Sequence, residues 1–324
     1  MCGDFMDILI YILIALFSLT LIVLTGAFVC FYMAFYNPTS KKIRPKDELP
    51  PGKEYEPYYP LMRKWMAERE AMPFTEYSVK SFDGLTLRGR YYEQAKNSPI
   101  ELMFHGYRGS AERDLCGGIQ RCFSLGRNVL IVDQRAHGRS DGNVITFGLY
   151  EAKDCLKWVE LIRREFGESQ KIILCGISMG AATVMLAAGE ELPDSVVGVL
   201  ADCGYSSARE IISSVIEKMH LPARPLYPLV RLGAIIFGGF DPDKANPHKA
   251  LKNCRIPIMF IHGEADDFVP CEMSRLNLAA VSSPKGIFTV PNAGHGAAYL
   301  ADTEGYLKAV SKFYTENGIY TEIK

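Results

Sequence analysis

The sequence lacks a CxxC pair, a low-complexity tract, an internal repeat and any excess of charge of one sign. Its 36 Lys and Arg stand against 37 Asp and Glu, for a formal net charge of −1. No long-range field therefore favours a polyanion, and without an Arg-rich or aromatic-interleaved basic face nucleic acid is not an expected partner. The nine cysteines are scattered and odd in number, so neither a zinc site nor a dithiol redox pair is expected. They read as small buried hydrophobes in a reducing compartment. With 48% hydrophobic and 23% charged residues the chain has the composition of a globular protein, and disorder is excluded as its main state.

Charge is also missing from one long stretch. From Ile8 to Tyr36 no residue is ionisable as Asp, Glu, Lys or Arg, and Ile, Leu, Val and Phe dominate. As a helix this stretch would reach about 43 Å, more than a hydrocarbon core of about 30 Å requires. A single transmembrane anchor over 1–40 is expected, with Phe31, Tyr32, Phe35 and Tyr36 near one interface and Pro38 ending the helix. A cleaved signal peptide would ask for a basic leading region, where this sequence has Asp4 and Asp7. Lys41, Lys42, Arg44 and Lys46 follow the span, which places the rest of the chain on the cytoplasmic side. Residues 41–60, with Pro45, Pro50, Pro51, Pro57 and Pro60, read as an extended linker, and 61–324 as the folded domain.

Within that domain, 74–93 alternates apolar and polar residues on both sides of Asp83-Gly84, a hairpin signal. Short apolar runs follow at 100–104, 128–133, 171–176, 195–202, 256–263 and 286–290, unalternated as in strands buried on both faces. Helical spacing at 148–166, 179–189 and 300–316 separates several of them, so an α/β fold with a mostly parallel sheet is expected. The rhythm breaks at about 204–253, where apolar and proline-rich stretches suggest a helical insertion. It reads either as a peripheral packing pair or as a lid whose apolar face walls a substrate pocket.

Gly176-Ile177-Ser178-Met179-Gly180 falls at a predicted strand-to-helix junction. A sharp turn there strains the serine backbone, and glycines two residues to either side leave room for close strand–helix approach. The hydroxyl is then held at a helix N-terminus, a place suited to nucleophilic attack but only if a base and an orienting acid are near. His295 is the candidate base, in a glycine-bracketed loop after the last predicted strand. His105 and His262, in strand-end His-Gly pairs, read as turn-shaping residues. Asp266 and Asp267, just beyond a strand end, are the candidate acids, with the strand-ending Asp202 as runner-up. The backbone N–H groups of Met179 and Tyr107 are candidate oxyanion donors.

In this order, "HGYRGS" (105–110), "DQRAHGRSDG" (133–142), "GISMG" (176–180), "HGEADDFVP" (262–270) and "NAGHG" (292–296) resemble the α/β-hydrolase superfamily over roughly 74–316. With the leading apolar span, the chain looks most like bacterial membrane-anchored serine hydrolases of esterase type. The resemblance implies a Ser178–His295–Asp266 triad acting on an acyl ester, small or lipid-derived, without a metal or organic cofactor. It also implies that Asp133 and Arg135 brace a loop beside the site and that His137 is not the base. A serine peptidase, an acyltransferase or a thioesterase would share this constellation. A non-catalytic, membrane-tethered binding protein is the alternative of another class.

Overall fold

The computed structural model describes residues 2–37 and 48–319. Lys41, Lys42, Arg44, Pro45 and Lys46, on which the orientation and part of the linker were read, lie outside the described residues. Eight strands form one sheet: β1 (Thr75–Lys80), β2 (Thr86–Tyr92), β3 (Ile100–Phe104), β4 (Asn128–Asp133), β5 (Ile172–Ile177), β6 (Val196–Asp202), β7 (Ile258–Gly263) and β8 (Lys285–Val290). Their spatial order is β1-β2-β4-β3-β5-β6-β7-β8. β1 and β2 form the expected antiparallel hairpin, β2 pairs antiparallel with β4, and from β4 to β8 every pair is parallel. Strands β3, β4 and β7 are buried at every residue. That is why their sequences carry no alternation: both faces are covered by helices.

The helices are α1 (Cys2–Ala34), α2 (Tyr59–Ala71), the single turn α3 (Ala111–Asp114), α4 (Cys116–Ser124), α5 (Leu149–Phe166), α6 (Met179–Ala187), α7 (Ala208–Lys218), α8 (Ala223–Gly238), the short α9 (Pro247–Ala250), α10 (Cys271–Ala280), α11 (Ala298–Ala301) and α12 (Thr303–Glu316). The stretch expected as one helix over 300–316 is two, because the Asp302 side chain caps α12 by accepting from the Gly305 N–H at 2.9 Å. α6 is buried along its whole length, so its apolar composition reflects a helix enclosed on all sides.

Two expectations about the periphery change. Residues 48–60 do not run out as an extended linker: they turn through a short 3-10 segment into α2 and lie against the domain, where Met62, Trp65 and Met66 form a small core with Cys116. The apolar insertion at 204–253 folds as α7, α8 and α9, yet α8 turns its apolar side toward α1. An added Cβ on Gly233 would stand 2.1 Å from the Ala27 carbonyl oxygen, and the Phe28 and Phe237 rings meet edge to face at 5.2 Å. α1 is the one helix among the described residues long and apolar enough to cross a membrane, and its last turns are part of the fold. Phe35 is fully buried, the Ile145 N–H donates to the Phe35 carbonyl at 2.8 Å, and Tyr36 forms a bridge with Val144.

Close approach at the β5–α6 junction is set by backbone atoms. An added Cβ on Gly180 would lie 2.1 Å from the Phe104 carbonyl oxygen, and one on Gly176 would lie 2.1 Å from the Gly180 backbone. Neither contact can be relieved by rotating a side chain. Gly180→Ala is therefore expected to lose about 3 kcal/mol of stability or to fail to fold, as overpacking against fixed backbone does at its upper end; urea denaturation followed by circular dichroism measures it.

Candidate active site

Ser178 sits between β5 and α6 with φ 55° and ψ −115°, a strained conformation for a residue with a side chain. The strain is held from both sides. The Ser178 N–H donates to the Asp202 carbonyl at 2.8 Å, and its own carbonyl accepts from Ala182 at 3.1 Å in the first turn of α6. This turn lifts the hydroxyl to the C-terminal edge of the parallel sheet.

From that edge a hydrogen-bonded chain runs through three of the residues singled out in the sequence. Ser178 Oγ lies 2.9 Å from His295 Nε2, and His295 Nδ1 lies 2.7 Å from Asp266 Oδ2. The carboxylate is further fixed through Oδ1, which accepts from the Phe268 and Val269 N–H groups at 2.9 and 2.8 Å. Burial alone would raise the Asp266 carboxyl, but hydrogen bonds from His262 and His295, with the Val269 amide, more than offset it. The group is held well below the ordinary carboxylate range.

His262, read from sequence as a turn former, has a larger part. Its Nε2 lies 3.1 Å from Asp266 Oδ2 and 2.8 Å from the Val269 carbonyl, and its Nδ1 lies 2.7 Å from Ser274 Oγ. Two acceptors at Nε2 require the proton there, leaving Nδ1 to accept from Ser274. His262 thus ties the Asp266 carboxylate to β7 and α10. Its place at the end of an apolar run, four residues before the acid, was the available signal; the spacing alone does not distinguish it from a turn.

The other candidates fall elsewhere. Asp267 is exposed at the cavity mouth and Asp202 accepts from the Tyr306 hydroxyl at 3.2 Å. His105 and His137 each accept a backbone N–H, from Gln134 at 3.1 Å and Arg108 at 3.0 Å, and so brace loops. Asp133 accepts from the Ala111 and Arg139 amides. Arg135 forms a buried pair with Asp154 at 2.6 Å and reaches Asp83 at 2.9 Å. Cys203, Asp266 and His295 bring ligand-type atoms within 4.8 Å of one another. Both imidazole nitrogens of His295 are already engaged with Ser178 and Asp266, and burial pushes the Cys203 thiol well up, so this trio lacks the free, deprotonated donors a metal requires.

The loop after β3 passes over the serine, with an added Cβ on Gly106 only 3.6 Å from the Ser178 Cβ. Gly106 N–H donates to Asp114 at 3.2 Å and Arg108 N–H to His137. Among the described residues, the N–H groups of Tyr107 and Met179 have no hydrogen-bond partner. The last turn of α1 holds the same loop: Tyr107 donates its hydroxyl to the Ala34 carbonyl at 2.8 Å, and Arg108 donates to the Met33 and Tyr36 carbonyls at 2.8 and 3.1 Å. Those of Met33 and Ala34 are helix-end carbonyls without an intrahelical partner.

A cavity of about 390 Å³ opens on Ser178 and His295. None of its lining residues comes from 204–253, so the insertion does not wall the pocket. The roof comes from the segment read as linker and from α2, through Pro51, Tyr55, Met62 and Trp65. Tyr55 donates its hydroxyl to the His295 carbonyl at 2.5 Å, so this strap also holds the histidine loop. Proline spacing could not show that, because it reports backbone stiffness and not what the segment covers.

Residues 102–219 match the sequence model of the alpha/beta hydrolase fold family. The chain has the α/β-hydrolase fold. An esterase of Pyrococcus furiosus superposes with a TM-score of 0.62 at 22% identity, covering 77% of this chain and 93% of that one. Protein YqkD of Bacillus subtilis is 28% identical over 78% of this chain and 83% of its own length. Protein bem46 of Schizosaccharomyces pombe is 25% identical over 77% and 79%. Within this fold, Asp202 beside the cavity also sets a pH dependence. Burial raises its carboxyl to about 6 from 3.8, outweighing the nearby His262 and the Tyr306 hydroxyl. Between those pH values the folded chain keeps a proton that the unfolded chain releases. Its contribution is therefore fully present below about pH 4 and is lost as pH rises through 6, by up to about 3 kcal/mol. Thermal melts from pH 4 to pH 7 should show a smaller decline in Asp202→Asn than in the parent.

Proposed function

We propose that this protein is a serine hydrolase that cleaves an acyl ester, anchored to a membrane by α1 with its catalytic domain on the cytoplasmic side. The observation that carries the reading is the unbroken relay from Ser178 Oγ to His295 at 2.9 Å and on to Asp266 at 2.7 Å. Asp266 keeps the His295 proton on Nδ1, which leaves Nε2 free to accept from the serine. As Ser178 attacks the acyl carbonyl, His295 takes its proton, and the charge developing on the carbonyl oxygen is met by the Tyr107 N–H in the loop after β3 and the Met179 N–H at the start of α6. His295 then returns the proton to the leaving alcohol. Water enters by the reverse route, and the acid is released from Ser178.

The strained serine, two unpartnered amides beside it and a carboxylate held ionised by its own set of donors support catalysis over a purely binding role. A binding surface has no use for a nucleophile kept in strain. The cavity offers apolar side chains from Met62, Trp65, Met103, Leu115 and Tyr299, which suits an acyl chain of small or lipid-derived origin. Neither a metal nor an organic cofactor has a step in this scheme.

The test uses the full chain in detergent, since α1 and Tyr55 both touch the catalytic loops. Ser178→Ala should lower hydrolysis of p-nitrophenyl butyrate by about 10⁴-fold or more and abolish labelling by a fluorophosphonate, while the far-ultraviolet circular dichroism stays that of the parent. Retained turnover or retained labelling in that variant would reject Ser178 as the nucleophile.

A further inference from the structure

α1 has two unlike halves. From Phe5 to Val23 every residue is exposed, and from Leu24 onward the protein covers it at helical intervals, at Leu24, Ala27, Phe31 and Phe35. The exposed half is about 28 Å long, close to the roughly 30 Å of a hydrocarbon core. The level at which α1 would leave a bilayer is therefore the level at which α8 begins to cover it.

The pairing of the two helices fixes their relative direction. Gly26 faces Leu229, Ala27 faces Gly233, and Phe31 meets Phe237 at 6.0 Å, so they run the same way. Ala223, the first residue of α8 and six positions before Leu229, thus lies about 9 Å further toward the exposed half of α1, and Leu221 stands just before it. The turn joining α7 to α8 carries Met219 and Leu221, 51% and 45% exposed, in a fold whose other large apolar residues are mostly enclosed. The corner itself carries Lys218 and Arg224, with Glu217 just before it; Arg231, further along α8, is paired with Asp241 and Asp243. Lys218 sits over the Phe268 ring at 5.6 Å, and that ring stands at the cavity mouth, 5.1 Å from the His295 ring.

We infer that the α7–α8 corner is a second membrane contact: Met219 and Leu221 enter the headgroup and acyl boundary of the bilayer that α1 crosses, with Lys218 and Arg224 on anionic phosphates, so that the cavity mouth beside Phe268 faces the membrane surface. The inference rests on α1 being membrane-inserted and is independent of the catalytic reading. Its occupant is the bilayer, chosen because the corner continues the apolar surface of α1 and its charge is complementary to anionic lipid.

Full-length protein in phosphatidylcholine and phosphatidylglycerol nanodiscs provides the test. The native Trp65 and Trp158 are both buried, and their emission is subtracted using the parent. Leu221→Trp should be quenched by lipids brominated near the headgroup end of the chain at least about twofold more than Lys312→Trp, exposed on α12, which packs on the other face of the sheet from α1 and α8. Met219→Trp gives a second reading should the first variant fold poorly. Leu13→Trp, quenched by bromines near the chain ends, reports that α1 is inserted. Corner tryptophans no more quenched than Lys312→Trp, beside a quenched Leu13→Trp, would overturn the second contact alone, including the case in which another copy of the chain covers the corner. Loss of quenching at Leu13→Trp as well would overturn the anchor reading beneath it.

Discussion

Between the Phe104 carbonyl at the end of β3 and the Cα of Gly180 there is no room for a methyl group, and the same holds between Gly176 and the backbone of Gly180. This contact brings the first turn of α6 directly against two strand ends. It goes with the positive φ of Ser178 and brings the loop after β3 over that residue. The strain is tolerable because the surrounding sheet and an entirely buried helix fix both sides of the turn. Each remaining part of the candidate site is placed by the strand ends that this junction aligns.

Asp266 illustrates how that alignment is extended. Its carboxylate leaves the end of β7 and is tied by two backbone amides, by His295 and by His262, itself bonded to Ser274 on α10. A buried charge without such donors would take up a proton. Here the donors keep it ionised, and an ionised partner at Nδ1 is what directs the other nitrogen of His295 toward the serine. The Tyr55 strap and the last turn of α1 act one layer further out, on the carbonyl of His295 and on the side chains of Tyr107 and Arg108. The segment that leads to the candidate anchor is in this way physically continuous with the loops that carry the proposed relay and oxyanion donors.

The seam between α1 and α8 solves a separate problem. A helix as apolar as α1 cannot end in water without covering its last turns, and α8 supplies the cover through glycines that let the two backbones approach. That use of its apolar face explains why the insertion does not wall the cavity, and why the roof falls instead to a proline-rich strap rich in aromatic residues.

The strands were readable because burial on both faces leaves an unbroken apolar run, and the junction at Ser178 because its glycines answer a steric demand that is local in sequence. Ser178, Asp266 and His295 were legible for the same reason: each stands just after a strand, and the ends of parallel strands share one edge. What the sequence alone determined, then, was the sheet, the strained turn and the residues at its rim, since these depend on neighbours along the chain. The roles of His262, Tyr55 and the last turn of α1, the roof of the cavity and the true partner of α8 were decided only by the tertiary structure. They rest on contacts between segments far apart in the chain, and neither periodicity nor composition records which surface a segment will meet.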